Sequence, residues 1–462
     1  MKESWATSPT STGADFHLDL GARRGRAAIE RALREAVQGG RLHPGTRLPS
    51  SRALATDLGV ARNTVVEAYG QLVAEGWLTA ITGSGTRVAE RPAEAPSAVV
   101  ATAEAATIRY DLRAGRPDTS TFPRAAWLAV AKRAINQAPT DAFGYGDPRG
   151  RIELRQALAE YLARARGVRA DPRHLVICSG FTQALSLLCE VLVDRGGSEL
   201  AVEAYGHRSY RDLATKRGLR LRDAPVDPLG AVVADFGDAD AALLTPAHQF
   251  PLGMALAAAR RSEAIAWAHR RGGLLIEDDY DGEFRYDRQA VGSMQALAPA
   301  HVVYAGTASK TLAPGVRLGW LVLPAYLVDD VVAAKEMADR QSGAIDQLTL
   351  AAFIDSGAYD RHIRRNRLAY RRRRDRLVSL LRGHAPEIRV SGIAAGLHAV
   401  LDLPPDRGEA EIVARARSRG LALEGIGAYG SGSYGPALVI GYGTPPPHAY
   451  TTALARLMAV LS

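Results

Sequence analysis

What most restricts the fold of this chain is a change of pattern between residues 89 and 108. The stretch AERPAEAPSAVVATAEAATI is rich in Ala, Pro and Glu, lacks aromatic residues and holds no sustained apolar period, so it reads as an exposed linker. Upstream, residues 1–88 hold a block of about seventy residues with the closely spaced apolar periods of short helices. Downstream, the apolar runs LVIC (175–178), AALLT (241–245), GLLIED (273–278), HVVYAG (301–306) and LGWLVL (318–323) alternate with helical segments. That alternation predicts an α/β domain with a largely parallel sheet over residues 109–462. With 462 residues, 47% of them hydrophobic, the chain can build the cores of two or three domains.

In the first block, residues 25–38 carry Ile29, Leu33 and Val37 on one helical face, and Gly39-Gly40 ends the helix. Ser50 or Ser51 then caps a short helix with Leu54 and Leu58. Gly59-Val60 turns into a third helix, from about residue 61 to 74, that buries Val65, Tyr69, Leu72 and Val73. Short helix, glycine turn and second helix make a helix-turn-helix, and Arg62, Asn63 and Thr64 stand at the end that meets base edges in a major groove. The segment GWLTAI, a Gly-rich tip and TRV follow as a β-hairpin, the wing. A three-helix protein-interaction module would share much of this pattern. Charge does not separate the two, because residues 1–90 carry eleven Lys and Arg against nine Asp and Glu. The segment PGTRLPSSRALATDLGVARNTVVEAYGQLVAEGWL (44–78) does separate them: it resembles the winged helix of the GntR regulator family over its whole length. The resemblance implies DNA contacts from Arg52, Arg62, Asn63 and Thr64, wing contacts from Thr82 and Gly83, and a phosphate contact from Arg47.

In the larger block, SKTLAPGVRLG (309–319) places Lys310 between small hydroxyls and a Pro-Gly turn that leads to Arg317. A desolvated lysine amine is a nucleophile toward the aldehyde of a phosphorylated cofactor. Thr307, Ser309 and Arg317 suit a phosphate dianion. Ser179-Gly180-Phe181-Thr182 follows an apolar strand and opens a helix, a second natural phosphate site. The run Ile276-Glu-Asp-Asp-Tyr-Asp281 ends another strand; a carboxylate there could pair with a protonated pyridine nitrogen, and the tyrosine with a phenolic oxygen. A solvated acidic turn would read the same way, whereas a metal site is weakly supported by an acidic cluster with no nearby histidine pattern.

Taken together, SGFTQA, TPAHQFPLG, EDDYDGEFRY, TASKTLAPGVRLGW and FGYGDPRGRIELRQALAEYL (143–162) resemble the fold-type I aminotransferases over residues 110–462. A GntR-type winged helix followed by such a domain resembles the MocR/GabR regulators. That resemblance implies a pyridoxal 5'-phosphate cofactor with Lys310 as its Schiff-base lysine, Asp278 at the pyridine nitrogen and Tyr280 near the 3-hydroxyl. It further implies that Tyr205 stacks on the ring, that Gly180, Phe181, Thr182, Thr307, Ser309 and Arg317 form the phosphate cup, and that the protein is a homodimer bound to promoter DNA.

Two departures from the aminotransferase pattern bear on function. Phe250 stands where many aminotransferases place an asparagine before Pro-x-Gly, with His248 and Gln249 beside it. In ALVIGY (437–442), Val439 occupies the position of the arginine that clamps a substrate carboxylate in amino-acid-binding relatives, and no arginine occurs between Arg419 and Arg456. An amino-acid transaminase without that pair would lack its positioning charge. The site therefore fits a sensor, and in one subgroup of the family the sensed ligand is pyridoxal phosphate itself, with control of vitamin B6 synthesis. A working transaminase, or a regulator responding to an amine or amino acid, is the alternative.

The net charge of +9 permits a polyanion partner. Residues 361–376 concentrate nine arginines, where Ile363, Leu368 and Leu377 suggest a helix with one buried face and either a solvated basic side or a second track for DNA. The two cysteines, Cys178 and Cys189, are too few for a disulfide framework and read as core residues. The first twenty residues contain no apolar leader, and no run approaches a membrane span, which predicts a cytoplasmic protein.

Overall fold

The computed structural model describes residues 18, 20, 25–81, 85–90, 108–286, 291–430 and 432–462. The chain divides into two compact units, Met1–Ala103 and Glu104–Ser462. Nearly all of the expected linker lies outside the described residues.

The first unit contains α1 (Arg26–Gln38), α2 (Ser51–Leu58), α3 (Arg62–Ala74), β1 (Leu78–Ile81) and β2 (Gly85–Val88). Ser50 caps α2, its hydroxyl accepting from the Ala53 N–H at 3.2 Å. Gly59 ends that helix in the left-handed region, φ 64°, which glycine adopts without strain and which turns the chain sharply into α3. Ile29, Leu33, Leu54, Val65, Leu72, Leu78 and Val88 form one core, while Val37 and Val73 pack at its edge. β1 and β2 pair antiparallel, Leu78 with Val88 through Ile81 with Gly85, as a wing whose tip, with Thr82 and Gly83, lies outside the described residues.

The second unit is built on seven strands: β3 (Leu175–Cys178), β4 (Glu199–Glu203), β5 (Arg220–Ala224), β6 (Ala241–Leu244), β7 (Leu274–Asp279), β8 (Val302–Thr307) and β9 (Gly319–Val322). Their order is β3-β9-β8-β7-β6-β4-β5, with β9 alone antiparallel to its neighbours. Residues of β3 alternate between two cores: Val176 and Cys178 pack in one, Leu175 and Ile177 in the other. A sheet covered on both faces buries successive side chains, which is why its strands read as continuous apolar runs. The edge strand β5 does not; RLRDA is mostly exposed, and the sequence pattern alone misses it. Cys178 and Cys189 are both free and buried in the same core, where burial pushes each thiol up to about 12.

Helix α4 (Phe181–Asp194) follows β3, and α5 (Ala358–His384) leads to a smaller sheet of β10 (Arg389–Ser391), β11 (His398–Asp402), β12 (Glu424–Gly425) and β13 (Ala437–Gly441), ordered β10-β11-β13-β12. The inner stripe of α5 differs from the sequence expectation. Ile363 and Leu377 are buried, but Leu368 is 55% exposed; Tyr359, Tyr370 and Leu381 complete the stripe, and Arg373 joins it. Arg373 is admitted because its guanidinium meets Asp118 at 2.7 Å and the carbonyls of Gly443 and Pro445 at 2.6 and 3.0 Å. Among the described residues, no helix is long and apolar enough to cross a membrane.

Candidate functional site

The carboxyl ends of the parallel strands surround a cavity of about 190 Å³. Open α/β sheets present their loops there, so groups far apart in sequence converge. All ten residues that the sequence nominates for a cofactor line it: Gly180, Phe181, Thr182, Tyr205, Asp278, Tyr280, Thr307, Ser309, Lys310 and Arg317.

On one side of the cavity, α4 begins at Gly180 with φ 86°, and this N-cap glycine has no side chain to cap the first N–H groups. Those donors and the helix dipole favour an anion. The Arg317 guanidinium lies beside them, donating to the Ser179 carbonyl, and a Cβ on Gly180 would stand 3.4 Å from Arg317 Nη1. Arg317 itself is held at φ 53°, in the left-handed region. The Thr307 hydroxyl accepts from the Ser309 N–H at 3.1 Å.

Across the cavity, the acidic run of β7 is sorted by its neighbours. Glu277 accepts from the N–H groups of Met294 and Gln295, both at 3.0 Å. Asp279 takes a bidentate pair from Arg166, at 2.6 and 3.0 Å, and the Tyr304 hydroxyl at 2.7 Å. Asp281 bonds His248 Nδ1 at 2.8 Å. Of this run only Asp278 lines the cavity, and its buried Oδ1 has no hydrogen-bond partner among the described residues. Burial raises its carboxyl well above the ordinary value, with the nearby Lys310 opposing. A buried acceptor without a donor is costly, so this atom suits a ligand that brings an N–H.

Lys310 donates from Nζ to the Gly115 carbonyl at 2.6 Å, and burial lowers its amine below the ordinary lysine value, with Asp278 and Asp281 acting in the opposite sense. This is the direction that frees a nucleophilic lone pair. The Tyr280 hydroxyl meets His248 Nδ1 at 3.0 Å, so a His248–Asp281 pair orients it. Gln249 holds the Tyr205 carbonyl at 2.9 Å, while the Tyr205 hydroxyl accepts from the Tyr434 N–H at 3.0 Å. Phe250, the residue in place of an asparagine, lines the cavity and stacks on His207 at 4.1 Å.

Val439 is fully buried among Tyr205, Phe250, Tyr280 and Tyr429 and does not line the cavity. Of the two arginines that do, Arg317 lies at the α4 end and Arg211 is tied to Asp223 and the Glu203 carbonyl. His398 adds a third ligand-type group near His248 and Asp281, a histidine pattern that the sequence conceals. His248 Nδ1 and Asp281 Oδ2 are hydrogen-bonded to each other, and Arg166 and Arg285 border the same space.

Sequence reasoning passed over Glu203, His207, Tyr210 and Thr245, all of which line the cavity. Glu203 could have been found, because it ends the strand that leads into Tyr205. Its buried carboxylate accepts from the Thr245 hydroxyl at 2.5 Å, yet burial raises it from the usual 4.5 to about 7. Between those values the folded protein holds a proton that the unfolded chain has lost, so stability falls as pH rises through this window. Replacing Glu203 with Gln should narrow the difference in cofactor-free stability between about pH 5 and 8, by up to about 3 kcal/mol. Denaturant titrations at the two pH values give the measurement; an unchanged difference would mean that Glu203 carries no such proton.

In the first unit, Arg47, Arg52, Arg62 and Asn63 are exposed and Thr64 is half-buried. Arg26 and Arg34 on α1 are paired with Glu30 and Glu75, whereas the side chains of Arg47, Arg52 and Arg62 form no hydrogen bond or ion pair with the described residues. Arg47 reaches over the wing, 3.3 Å from where a Cβ of Gly85 would stand.

Residues 26–88 match the model of the bacterial regulatory proteins of the gntR family, and residues 109–426 that of aminotransferase class I and II. The chain is 34% identical over 439 residues to the HTH-type pyridoxine biosynthesis transcriptional regulator PdxR of Corynebacterium glutamicum, covering 93% of this chain and 94% of that one. It is 33% identical over 375 residues to the probable rhizopine catabolism regulatory protein MocR of Rhizobium meliloti, with 76% of each covered. Among solved structures, an archaeal alanine:glyoxylate aminotransferase superposes with a TM-score of 0.69 at 24% identity, over 76% of this chain and 90% of that one. The larger unit thus has an aminotransferase-like fold, the relatives that match nearly end to end are regulators, and the chain belongs to the MocR-type, DNA-binding HTH transcriptional regulators, with a GntR domain joined to an aminotransferase class I and II domain.

Proposed function

We propose that this regulator senses pyridoxal 5'-phosphate through its aminotransferase-like domain, adjusts promoter binding accordingly, and so controls genes of vitamin B6 synthesis. When bound, the cofactor supplies an aldehyde and an electron-withdrawing ring. Lys310 provides the amine for that aldehyde, its neutral form favoured by burial. Asp278 offers its unpartnered Oδ1 to a ring N–H, Tyr280 directs its hydroxyl to the phenolic oxygen, and Tyr205 stacks. The start of α4 with Thr307, Ser309 and Arg317 binds the phosphate. Arg52, Arg62, Asn63 and Thr64 read bases, with Arg47, Thr82 and Gly83 at the backbone and wing.

The observation that carries the sensor reading is Val439, buried in an apolar cluster where a carboxylate clamp would stand. The pyridoxine-related name of the relative at 34% identity agrees with it. A ligand changes DNA affinity only if it binds one conformation of the protein more tightly than another. Titrating promoter binding with pyridoxal phosphate should therefore shift the DNA affinity at least several-fold, with no turnover of amino acids. A response only to an amine or amino acid, or multiple turnovers with one, would replace this reading.

A homodimer accompanies the proposal. Leu128, Phe143, Tyr145 and Met337 are 70%, 55%, 91% and 86% exposed. The Tyr145 loop meets Arg340 and Gln341, one turn beyond Met337. Apolar exposure on this scale calls for a covering partner, and sedimentation of the full chain should read twice its mass.

A further inference from the structure

The nine arginines between residues 361 and 376 differ in exposure, with Arg374 half-buried. Arg373 is buried against Asp118, and Arg367 donates to the Glu283 carbonyl at 2.7 Å. Arg361, Arg364, Arg365, Arg371, Arg372 and Arg376 are exposed. At about 100° per residue these six share the outer face of the helix, and from 361 to 376 they extend about 22 Å.

Acids do not balance this face. Asp375 is 3.9 Å from Arg371 and 4.0 Å from Arg374, and Asp360 is taken by Arg164 at 2.8 Å. The side chains of Arg361, Arg372 and Arg376 form no hydrogen bond or ion pair among the described residues. Arg361 with Arg365, and Arg372 with Arg376, are like charges four residues apart, an arrangement that destabilises a helix on its own. A helix shaped only for solubility would place glutamates at those spacings. Arginine rather than lysine, repeated along a helix face, matches the geometry of phosphate oxygens.

We propose that the outer face of α5 binds the phosphate backbone of the DNA that the winged helix recognises. Charge complementarity selects this occupant, since DNA is the polyanion that the chain's own family binds. Contacts of this kind add affinity and salt dependence without sequence preference.

The test uses the full chain carrying R361Q, R372Q and R376Q together, with promoter binding measured between about 50 and 200 mM salt. Each lost phosphate contact should lower the slope of log affinity against log salt by about 0.9. The triple variant should therefore lose about two to three units of slope, and the matching Arg→Lys triple should retain it. A slope equal to that of the unaltered chain overturns the proposal. So does an equal loss in the Gln and Lys triples, which would place the effect in helix packing. Unchanged DNA binding with lost retention on phosphatidylserine-rich vesicles would assign the face to a membrane instead. If the unaltered chain fails to bind its promoter, the regulator reading itself fails, an outcome distinct from all of these.

Discussion

Lys310→Ala protein should carry no cofactor that borohydride can fix to the chain, and its promoter binding should stop responding to pyridoxal phosphate. Lys310 is the lysine that lines the cavity, its amine 2.6 Å from the Gly115 carbonyl and facing the carboxyl of Asp278 across the site. Removing it leaves the α4 start, Thr307, Ser309 and Arg317 able to hold a phosphate, so reversible binding should persist with weaker affinity. The covalent label, mapped by mass after reduction, should fall from near one per chain to none. Affinity for promoter DNA without cofactor should be unchanged, because the winged helix has its own core. A label that persists in the variant would place the attachment elsewhere, and a retained response to pyridoxal phosphate would show that sensing does not need the covalent bond.

Arg62→Ala should have the complementary effect: promoter affinity falls by about 1–3 kcal/mol, roughly 5- to 150-fold, while cofactor content stays the same. Arg62 opens α3, is exposed, and has no acidic partner among the described residues. Arg52 on α2 is equally free and should behave similarly. Arg34 serves as the internal contrast, since its guanidinium grips Glu75 at 2.8 and 3.0 Å. Its replacement by Ala should alter stability and leave operator discrimination intact. Fluorescence anisotropy with promoter and unrelated DNA distinguishes the cases; equal loss on both sequences for Arg62→Ala would make it a backbone contact.

The separation of α5 arginines shows where pattern reading stops. Nine arginines in sixteen residues announce a basic helix, yet period alone placed Leu368 inside and did not mark Arg373 as buried. The structure exposes Leu368 and buries Arg373, because Asp118 and the carbonyls of Tyr442, Gly443 and Pro445 reach Arg373 from distant parts of the chain. The edge strand β5 escaped for a simpler reason: a strand with one exposed side and two arginines has no apolar run to detect.

By itself, the sequence determined the division into a winged helix and an α/β domain, five of the seven strands of the large sheet, and which residues, Lys310 among them, meet at one cavity. These follow from local patterns, helix caps, glycine turns and the period of buried residues, which act over a few positions. Only the tertiary structure decided which member of Glu277, Asp278, Asp279 and Asp281 remains free. Strand alternation separates neighbours by face, but the partners that occupy three of them, the N–H groups of Met294 and Gln295, Arg166 and His248, come from other segments. A carboxylate's availability is set by what packs against it, and that is fixed when the chain closes around the cavity.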